Sequence, residues 1–397
     1  MATVQQIGIL GGGFGGLYTA LKLAKYPWPK DNRPQITLVD QNERFVFLPF
    51  LYELITGEMH LWEVAPTYQQ ILAHSPVQFI QGTVTTIDPR LKQVRVSGGQ
   101  VLSCDRLVLA LGGETPLSTV PGAAEHALTF HSLADAEALK SRLQDLDHHP
   151  PAPVQVAVVG AGPSGVELSC KLADRLGHRG QVTLIDRNDS LLKSAAAANR
   201  KAAEKALAQR HVIQRLNTRV VQVKAQAITL EQGGISEDLA TQLVLWTVGN
   251  TIPGVVAALA VPKTEGGQIL TTATLQVQGH HDVFALGDLA TGVDAQGQAI
   301  PSTAQAAFQA ADYAAYNIWA SLTGRSLLPF HYSHLGEMLT LGVDEAALAG
   351  LGVTLEGPLA SVARRLVYLM RFPTLEHQIN VGLEWMLKPF QQTYSQS

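Results

Sequence analysis

The sequence predicts an α/β protein built on two doubly wound, parallel-stranded units, and three observations carry that reading. Glycine-rich turns of the form Gly-x-Gly-x-x-Gly occur twice, at Gly11-Gly12-Gly13-Phe14-Gly15-Gly16 and at Gly160-Ala161-Gly162-Pro163-Ser164-Gly165. Each turn follows an apolar, β-forming run and leads into a segment that is apolar at helical spacing. A second apolar run then ends in an acid, Asp40 in the first unit and Asp186 in the second. With 35 glycines in 397 residues, one copy of the pattern arises by chance roughly 0.3 times per chain, so the flanking strand, helix and acid are what make each copy specific.

In the first unit, Ile7-Gly8-Ile9-Leu10 reads as a short buried strand and Leu17 to Ala24 as the helix after the turn. Gly11 permits the tight turn, Gly13 lets backbone N–H groups approach a pyrophosphate, and Gly16 lets helix and strand pack closely. Ile36 to Val39 form the next strand, and the carboxylate of Asp40 at its end suits a ribose diol. Leu107 to Leu109 make a further strand that runs into small residues, Ala110 and Gly112, where backbone lies against a bound group. Far downstream, His281 to Asp288 repeats the strand-Gly-Asp layout.

The second unit follows a Pro-rich connector, His148-His149-Pro150-Pro151-Ala152-Pro153. Val154 to Val159 is its first strand, Val166 to Ala173 starts its helix, and Asp186 closes the strand Val182 to Ile185. A carboxylate at that corner favours a free 2′-hydroxyl, hence NADH, but Arg187 beside it suits a 2′-phosphate, so NADH and NADPH both stay open. Glu167, early in the helix, either caps it or stands near the nicotinamide. Leu243 to Gly249 ends the unit as Leu107 to Gly112 ends part of the first.

At 397 residues the chain exceeds the size of a single growing core, and 46% apolar content is ample to bury two or three units. A net charge of -4 without a basic run argues against nucleic acid as a partner. Cys104 and Cys170, without any Cys-x-x-Cys motif, read as two separate thiols in a reducing compartment. No residue set has convincing metal-ligand spacing; His331 and His334 read as surface or core residues. The N-terminus enters the first strand directly, so no leader is expected and the protein is expected to stay where it is made. No run reaches about 18 uninterrupted apolar residues, so no spanning helix is expected.

Together, the loops with their acids, Leu107 to Gly112, Val244 to Gly249 and Ala285-Leu286-Gly287-Asp288 resemble the two-dinucleotide-domain flavoproteins. That resemblance implies FAD on the first fold and NADH or NADPH on a second fold inserted into it. The implied divisions are 1–118 and 266–330 for FAD, 119–265 for NAD(P)H, and 331–397 for a C-terminal region. Implied cofactor contacts around the first loop are Gly11, Gly13, Phe14, Gly15, Gly16, Asp40 and Gln41. Val84, Ala110, Gly112, Gly287 and Asp288 follow, the last at the ribityl-pyrophosphate. Around the second loop they are Gly160, Gly162, Gly165, Glu167, Asp186, Arg187 and Gly249.

Within that group, Ala304-Gln305-Ala306-Ala307-Phe308-Gln309 resembles the Ala-Gln-x-Ala-x-Gln segment of type II NAD(P)H:quinone oxidoreductases, which lines their quinone pocket beside the flavin. Ala304 and Gln305 are thereby implied in cofactor contact, and Glu167, Gln305 and Gln309 in catalysis. A spacing of four puts the two glutamines on one side of a helix. The family has glycine after the second glutamine, where this chain has Ala310. Phe47 to Glu58, Trp62 to Pro66 and Arg371-Phe372-Pro373-Thr374 resemble the cyanobacterial and plastid branch of the family, which is associated with prenylquinones and demethylphylloquinone reduction.

In the C-terminal segment Val362, Leu366, Leu369 and Met370 share one face, and Ile379, Leu383, Met386, Leu387 and Phe390 share another after Pro373. Two amphipathic helices follow, with four basic residues (Arg364, Arg365, Arg371, Lys388) against two acids (Glu376, Glu384). They suit docking on an anionic membrane surface, or else a packed terminal pair or a homodimer contact. The resemblance points to the membrane, on a cytoplasm-facing thylakoid or plasma-membrane surface. The expected reaction is two-electron transfer from NAD(P)H through FAD to a lipid-soluble quinone, a prenylated naphthoquinone or plastoquinone. The alternatives are a disulfide, sulfide:quinone or ferredoxin reductase, or a redox-responsive binding protein of the apoptosis-inducing-factor type. The first two of these need a cysteine pair beside the flavin, for which Cys104 and Cys170 lack the spacing.

Overall fold

The computed structural model describes residues 4–29, 31, 33–148 and 153–394, the side chains of 389–394 excepted. The Pro-rich connector is therefore outside the described residues apart from His148 and Pro153, as is the side chain of Phe390. The chain forms two compact units. One holds the residues up to Phe45 with Pro66–Glu114 and Asn250–His334, the other Val46–Ala65, Thr115–Gly249 and the residues from Leu335 on. Segment 46–65 thus groups with the second unit and 250–265 with the first.

The first unit is organised by a six-stranded sheet in the order Gln276–Val277, His280–Ala285, Arg106–Leu109, Gln6–Leu10, Gln35–Asp40, Val77–Gln81. All its pairings are parallel except that between Gln276–Val277 and His280–Ala285. The inner strands are buried almost end to end, which is why they read as continuous apolar runs: a parallel sheet is covered on both faces. Helices Phe14–Leu23 and Ala304–Thr323 pack on each other, with Tyr18 meeting Phe308 edge to face and Lys22 paired with Asp312 at 3.0 Å. Ala310, where the resemblance leads one to expect glycine, is fully accommodated at 2% exposure. An antiparallel sheet, Val84–Asp88, Gln93–Val96 and Val101–Ser103, turns at Gly98-Gly99, both at positive φ, and a short parallel pair, Ile269–Leu270 with Ala290–Thr291, lies in the same unit.

The second unit has an all-parallel, five-stranded sheet in the order Ile213–Arg215, Gly180–Ile185, Val154–Val159, Leu243–Trp246, Ala127–Leu128. Helix Pro163–Leu176 starts with proline in its first turn, where no N–H is missed, and buries Val166, Leu168, Cys170 and Leu172. Two three-stranded antiparallel sheets follow, Arg219–Lys224 with Ala227–Gln232 and Ile235–Ala240, and Glu337–Thr340 with Ala346–Gly350 and Val353–Gly357. The unit ends in helices Pro358–Leu369 and Leu375–Tyr394. Pro373 breaks them apart, and Thr374 accepts at Oγ1 from His377 N to start the second. Val362, Leu366 and Met370 on one helix and Ile379, Leu383, Met386 and Leu387 on the other are exposed. Among the described residues no helix is long and apolar enough to cross a membrane.

Candidate functional site

In the first unit the sheet's carboxyl ends assemble residues scattered along the sequence. Gly11 N donates to Val39 O at 2.8 Å and Ala110 N to Leu10 O at 2.8 Å, so the first loop is stitched to both neighbouring strands. Leu286 N donates to Leu109 O, and a Cβ built on Gly15 would lie 3.2 Å from the Leu286 side chain. Gly287-Asp288 is thereby set beside the first loop. Asp40 accepts from Gly12 N at 2.6 Å through Oδ2 and from Asn42 N at 2.8 Å through Oδ1. Burial nevertheless pushes its carboxyl above the usual range. Gln41 is exposed next to it, whereas Val84 is 7% exposed and packs in the core. Phe14 stacks on Tyr18 and meets Phe45 edge to face.

The second unit repeats this circuit. Gly160 N donates to Ile185 O at 2.7 Å, Ala161 N donates to Asp186 Oδ2 at 2.6 Å, and Asn188 N donates to Asp186 Oδ1 at 2.7 Å. Thr247 Oγ1 donates to Val159 O, tying the strand before Gly249 to the loop strand. Gly249, like Gly112 and Gly287, has positive φ, where glycine alone is unstrained. Arg187 is exposed beside Asp186. The shared Asp-x-Asn pattern, Asp40-Gln41-Asn42 and Asp186-Arg187-Asn188, was present in the sequence and marks both acids as preset by backbone donors.

The glycines themselves test whether these loops fit dinucleotides. A Cβ on Gly16 would lie 1.8 Å from Gly11 O, and one on Gly165 would lie 1.7 Å from Gly160 O, so both are required by the chain's own packing. Gly12 is required by Tyr68, whose hydroxyl donates to Gly12 O and would lie 2.1 Å from an added Cβ. Gly13 (φ -70°, ψ -164°) and Gly162 (φ -75°, ψ -177°) are different: any residue adopts such angles, and no atom of the chain lies within 4 Å of a Cβ there. Both glycines are exposed and each is the N-cap of a helix without a side-chain cap. A backbone kept bare at a helix N-terminus is what a pyrophosphate needs. The residues fit a dinucleotide in each loop.

Glu167 is not a helix cap, since Gly162 holds that position. It is buried in the second unit, accepts at Oε1 from Thr340 N at 2.9 Å and is hydrogen-bonded to Tyr52, which also bonds Ser164. Burial raises its pKa to about 7, although Arg364 acts to lower it. Around it lies a buried charge network missed in sequence. Arg364 pairs with Glu53 at 2.6 Å and with Pro49 O, and Lys171, with no exposed surface, pairs with Glu58. Arg365 reaches Glu58 at 3.2 Å, Lys388 donates to Glu58 O, and Trp385 Nε1 donates to Glu63 Oε1 at 2.8 Å. Segment 46–65 is thus held by the C-terminal helices through ions. The sequence carried no signal for it, since Lys171 has Glu167, Asp174 and Arg175 at helical spacing around it and reads as a surface residue.

Gln305 and Gln309 do share one side of helix Ala304–Thr323, in its first two turns. Gln305 Oε1 accepts from Tyr332 Oη at 3.0 Å, while Gln309 exchanges two bonds with the Ser333 backbone, at 2.8 and 3.0 Å. Ala304 is exposed at the helix start. Cys104 and Cys170 are both free thiols, the first in the first unit and the second in the second. Burial pushes them to about 11 and about 12, so neither is a ready thiolate, and dithiol chemistry has no reactive pair to use. Among the described residues no group of three or more His, Cys, Asp or Glu is placed to hold a metal ion.

Known proteins share both sequence and fold with this chain. Residues 5–311 match the model of the pyridine nucleotide-disulphide oxidoreductase family. Over 97% of its length the chain is 49% identical to a demethylphylloquinone reductase of Synechocystis sp., covering 96% of that protein. It is 42% identical, over 96% of its length and 80% of the relative, to an alternative NAD(P)H-ubiquinone oxidoreductase of Arabidopsis thaliana assigned to chloroplast and mitochondrion. The structure of NDH2 from Plasmodium falciparum in complex with NADH superposes with a TM-score of 0.86 over 98% of both chains at 16% identity, a likeness of fold. The paired loops, their preset acids and these relatives place the chain in the pyridine nucleotide-disulphide oxidoreductase family, among its type II NAD(P)H:quinone oxidoreductases.

Proposed function

We propose that the chain is an FAD-dependent NAD(P)H:quinone oxidoreductase that passes two electrons from NADH or NADPH to a prenylated naphthoquinone or a plastoquinone, with demethylphylloquinone as the leading candidate. The observation that carries the reading is the pair of sterically unconstrained glycines, Gly13 and Gly162, each beside an acid held by loop N–H groups. FAD belongs on the loop flanked by Gly287-Asp288, the nicotinamide dinucleotide on the other. When bound, the flavin supplies a ring that accepts hydride and returns two electrons. Asp40 and Asp186 hold ribose hydroxyls, and the N-termini of helices Phe14–Leu23 and Pro163–Leu176 neutralise phosphate charge. Glu167, its pKa raised by burial to about 7, takes up or releases a proton in a buried setting near neutral pH. Gln305 meets the quinone.

The quinone's solubility favours a surface location. The exposed apolar side chains of the last two helices, Val362, Leu366, Met370, Ile379, Leu383 and Met386, support docking on a membrane in its plane. On this reading the docking surface is a cytoplasm-facing thylakoid or plasma membrane. Steady-state turnover of the purified protein with NADH or NADPH tests the reading, using demethylnaphthoquinone and plastoquinone analogues in liposomes. Quinol formation with retained FAD supports it, and a flavoprotein that reduces no quinone sinks it. Removal of residues 362–397 tests the docking: a shortened protein that still sediments with anionic liposomes contradicts it, and a loss of dimer instead assigns the face to a second copy.

A further inference from the structure

We propose, on the reading of the last two helices as a membrane-docking face, that the hairpin tip Leu351-Gly352-Val353 belongs to that face as a lipid-inserting element. Leu351 enters the acyl region of a bilayer, and apolar contact rather than charge holds the protein there. Strands Ala346–Gly350 and Val353–Gly357 pair antiparallel with Gly350 opposite Val353, so Leu351 and Gly352 make a two-residue turn. Their φ values are 51° and 78°. A hairpin turn with both central residues at positive φ prefers Asn-Gly or Asp-Gly, and leucine is strained there.

Among the described residues Leu192, Leu275 and Leu351 are the leucines with positive φ. Leu192 and Leu275 are each 2% exposed, so core packing holds them, whereas Leu351 is 81% exposed. No atom of the chain lies within 4 Å of a Cβ built on Gly352, so the tip stands clear of the fold. The fold gains little from leucine at this position, and a strained residue without packing points to a partner outside the chain.

The neighbouring side chains give that partner's chemistry. Val353–Gly357 is the edge strand of its sheet, a place that charged residues usually guard against pairing. Here exposed Val353 and Leu355 alternate with Thr354 and Glu356, and Glu356 is paired with Lys205 at 2.9 Å. The strand runs through Pro358 into helix Pro358–Leu369, which packs on both hairpin strands. That helix carries Leu359, Val362, Leu366 and Met370 as an exposed stripe, while Ala360, Ser361 and Arg364 are buried. The terminal helices spend cations inside the unit: Arg364 on Glu53 at 2.6 Å, Arg365 on Glu58 at 3.2 Å and Asp344 at 3.1 Å, and Lys388 on Glu58 O. Exposed leucine, valine and methionine beside cations that face inward fit acyl chains better than anionic headgroups or a polar-rimmed protein partner.

The test uses the full chain with FAD and vesicles of phosphatidylcholine, alone or mixed with phosphatidylglycerol. Leu351→Asn supplies the residue type the turn prefers while removing the apolar side chain, so its Tm should equal or exceed the parent's. Its partition onto phosphatidylcholine vesicles should weaken about tenfold or more, and Leu351→Met should bind as the parent does. Val353→Thr, which keeps the side chain's shape, should weaken binding in the same direction. Parent binding should persist on phosphatidylcholine alone at about 0.5 M salt, where surface attraction is screened. Leu351→Asn protein that binds vesicles as tightly as the parent overturns insertion of the tip, and so does one that melts early, because that marks a packing role. Parent binding that requires phosphatidylglycerol overturns apolar contact as the force. A tip variant that alters self-association in sedimentation velocity but leaves vesicle binding intact assigns the tip to a second copy and overturns the proposal. A parent protein that binds no vesicle contradicts the docking reading itself, a separate result.

Discussion

Gly162 and Gly165 occupy one turn yet answer to different constraints, and alanine at each separates them. At Gly165 the new Cβ would lie 1.7 Å from Gly160 O and 2.9 Å from its carbon, both backbone, so helix Pro163–Leu176 must move off strand Val154–Val159. Such overpacking costs about 1–3 kcal/mol, or about 2–12 °C in Tm for a large domain. At Gly162 the backbone (φ -75°, ψ -177°) accepts alanine and nothing of the chain lies within 4 Å, so stability should stay within about 0.5 kcal/mol of the parent. The methyl group would instead stand where backbone N–H meets pyrophosphate. Loss of one hydrogen bond to a charged group costs about 1.5–3 kcal/mol, which is about 10- to 150-fold in the Kd for NADH. Thermal denaturation and NADH titration read the two effects. Gly162→Ala protein that binds NADH as tightly as the parent, or that melts as early as Gly165→Ala, would refute the reasoning. The same contrast is expected between Gly13 and Gly16 for FAD retention.

Glu167 makes stability depend on pH. Its folded pKa of about 7 lies above the ordinary 4.5, so its contribution is full below about 4.5 and declines as pH rises through about 7; Glu167→Gln should remove that decline in urea midpoints. Arg364→Met leaves Glu53 charged and buried, which should cost about 3–5 kcal/mol, and Glu53→Met in the same chain should recover most of it. The single variant should also move Glu167 further upward, since Arg364 acts to lower it. Glutamate at Val362, Leu366 and Ile379, which are 57%, 54% and 51% exposed, should abolish sedimentation with anionic liposomes while leaving the urea midpoint unchanged.

The two dinucleotide loops were legible because every part of the signal is local: strand, turn, helix and acid fall within a few tens of residues, and parallel strands buried on both faces read as unbroken apolar runs. The C-terminal helices were legible from spacing and from Pro373. The three antiparallel sheets were not, although Gly98-Gly99 and Gly233-Gly234 mark hairpin turns, because their strands are half-exposed and short. Nor was the charge network legible, since Glu53, Lys171 and Arg364 meet only through tertiary packing and each alone resembles a surface residue. Gln305 and Gln309 looked equivalent in sequence. Their partners, Tyr332 and Ser333, lie in an irregular segment that carries no periodicity, and only its backbone geometry tells the two apart.

The central claim is that one loop keeps a flavin, the other exchanges a nicotinamide dinucleotide, and a quinone takes the electrons. Anaerobic stopped-flow absorbance of the purified protein tests it most directly, with NADH or NADPH mixed first and a naphthoquinone analogue second. The account predicts loss of the oxidised flavin's visible absorption band with one equivalent of reduced nucleotide, and its full return with one equivalent of quinone. Protein that binds flavin but keeps its band with both nucleotides, or that stays bleached when quinone is added, would contradict it.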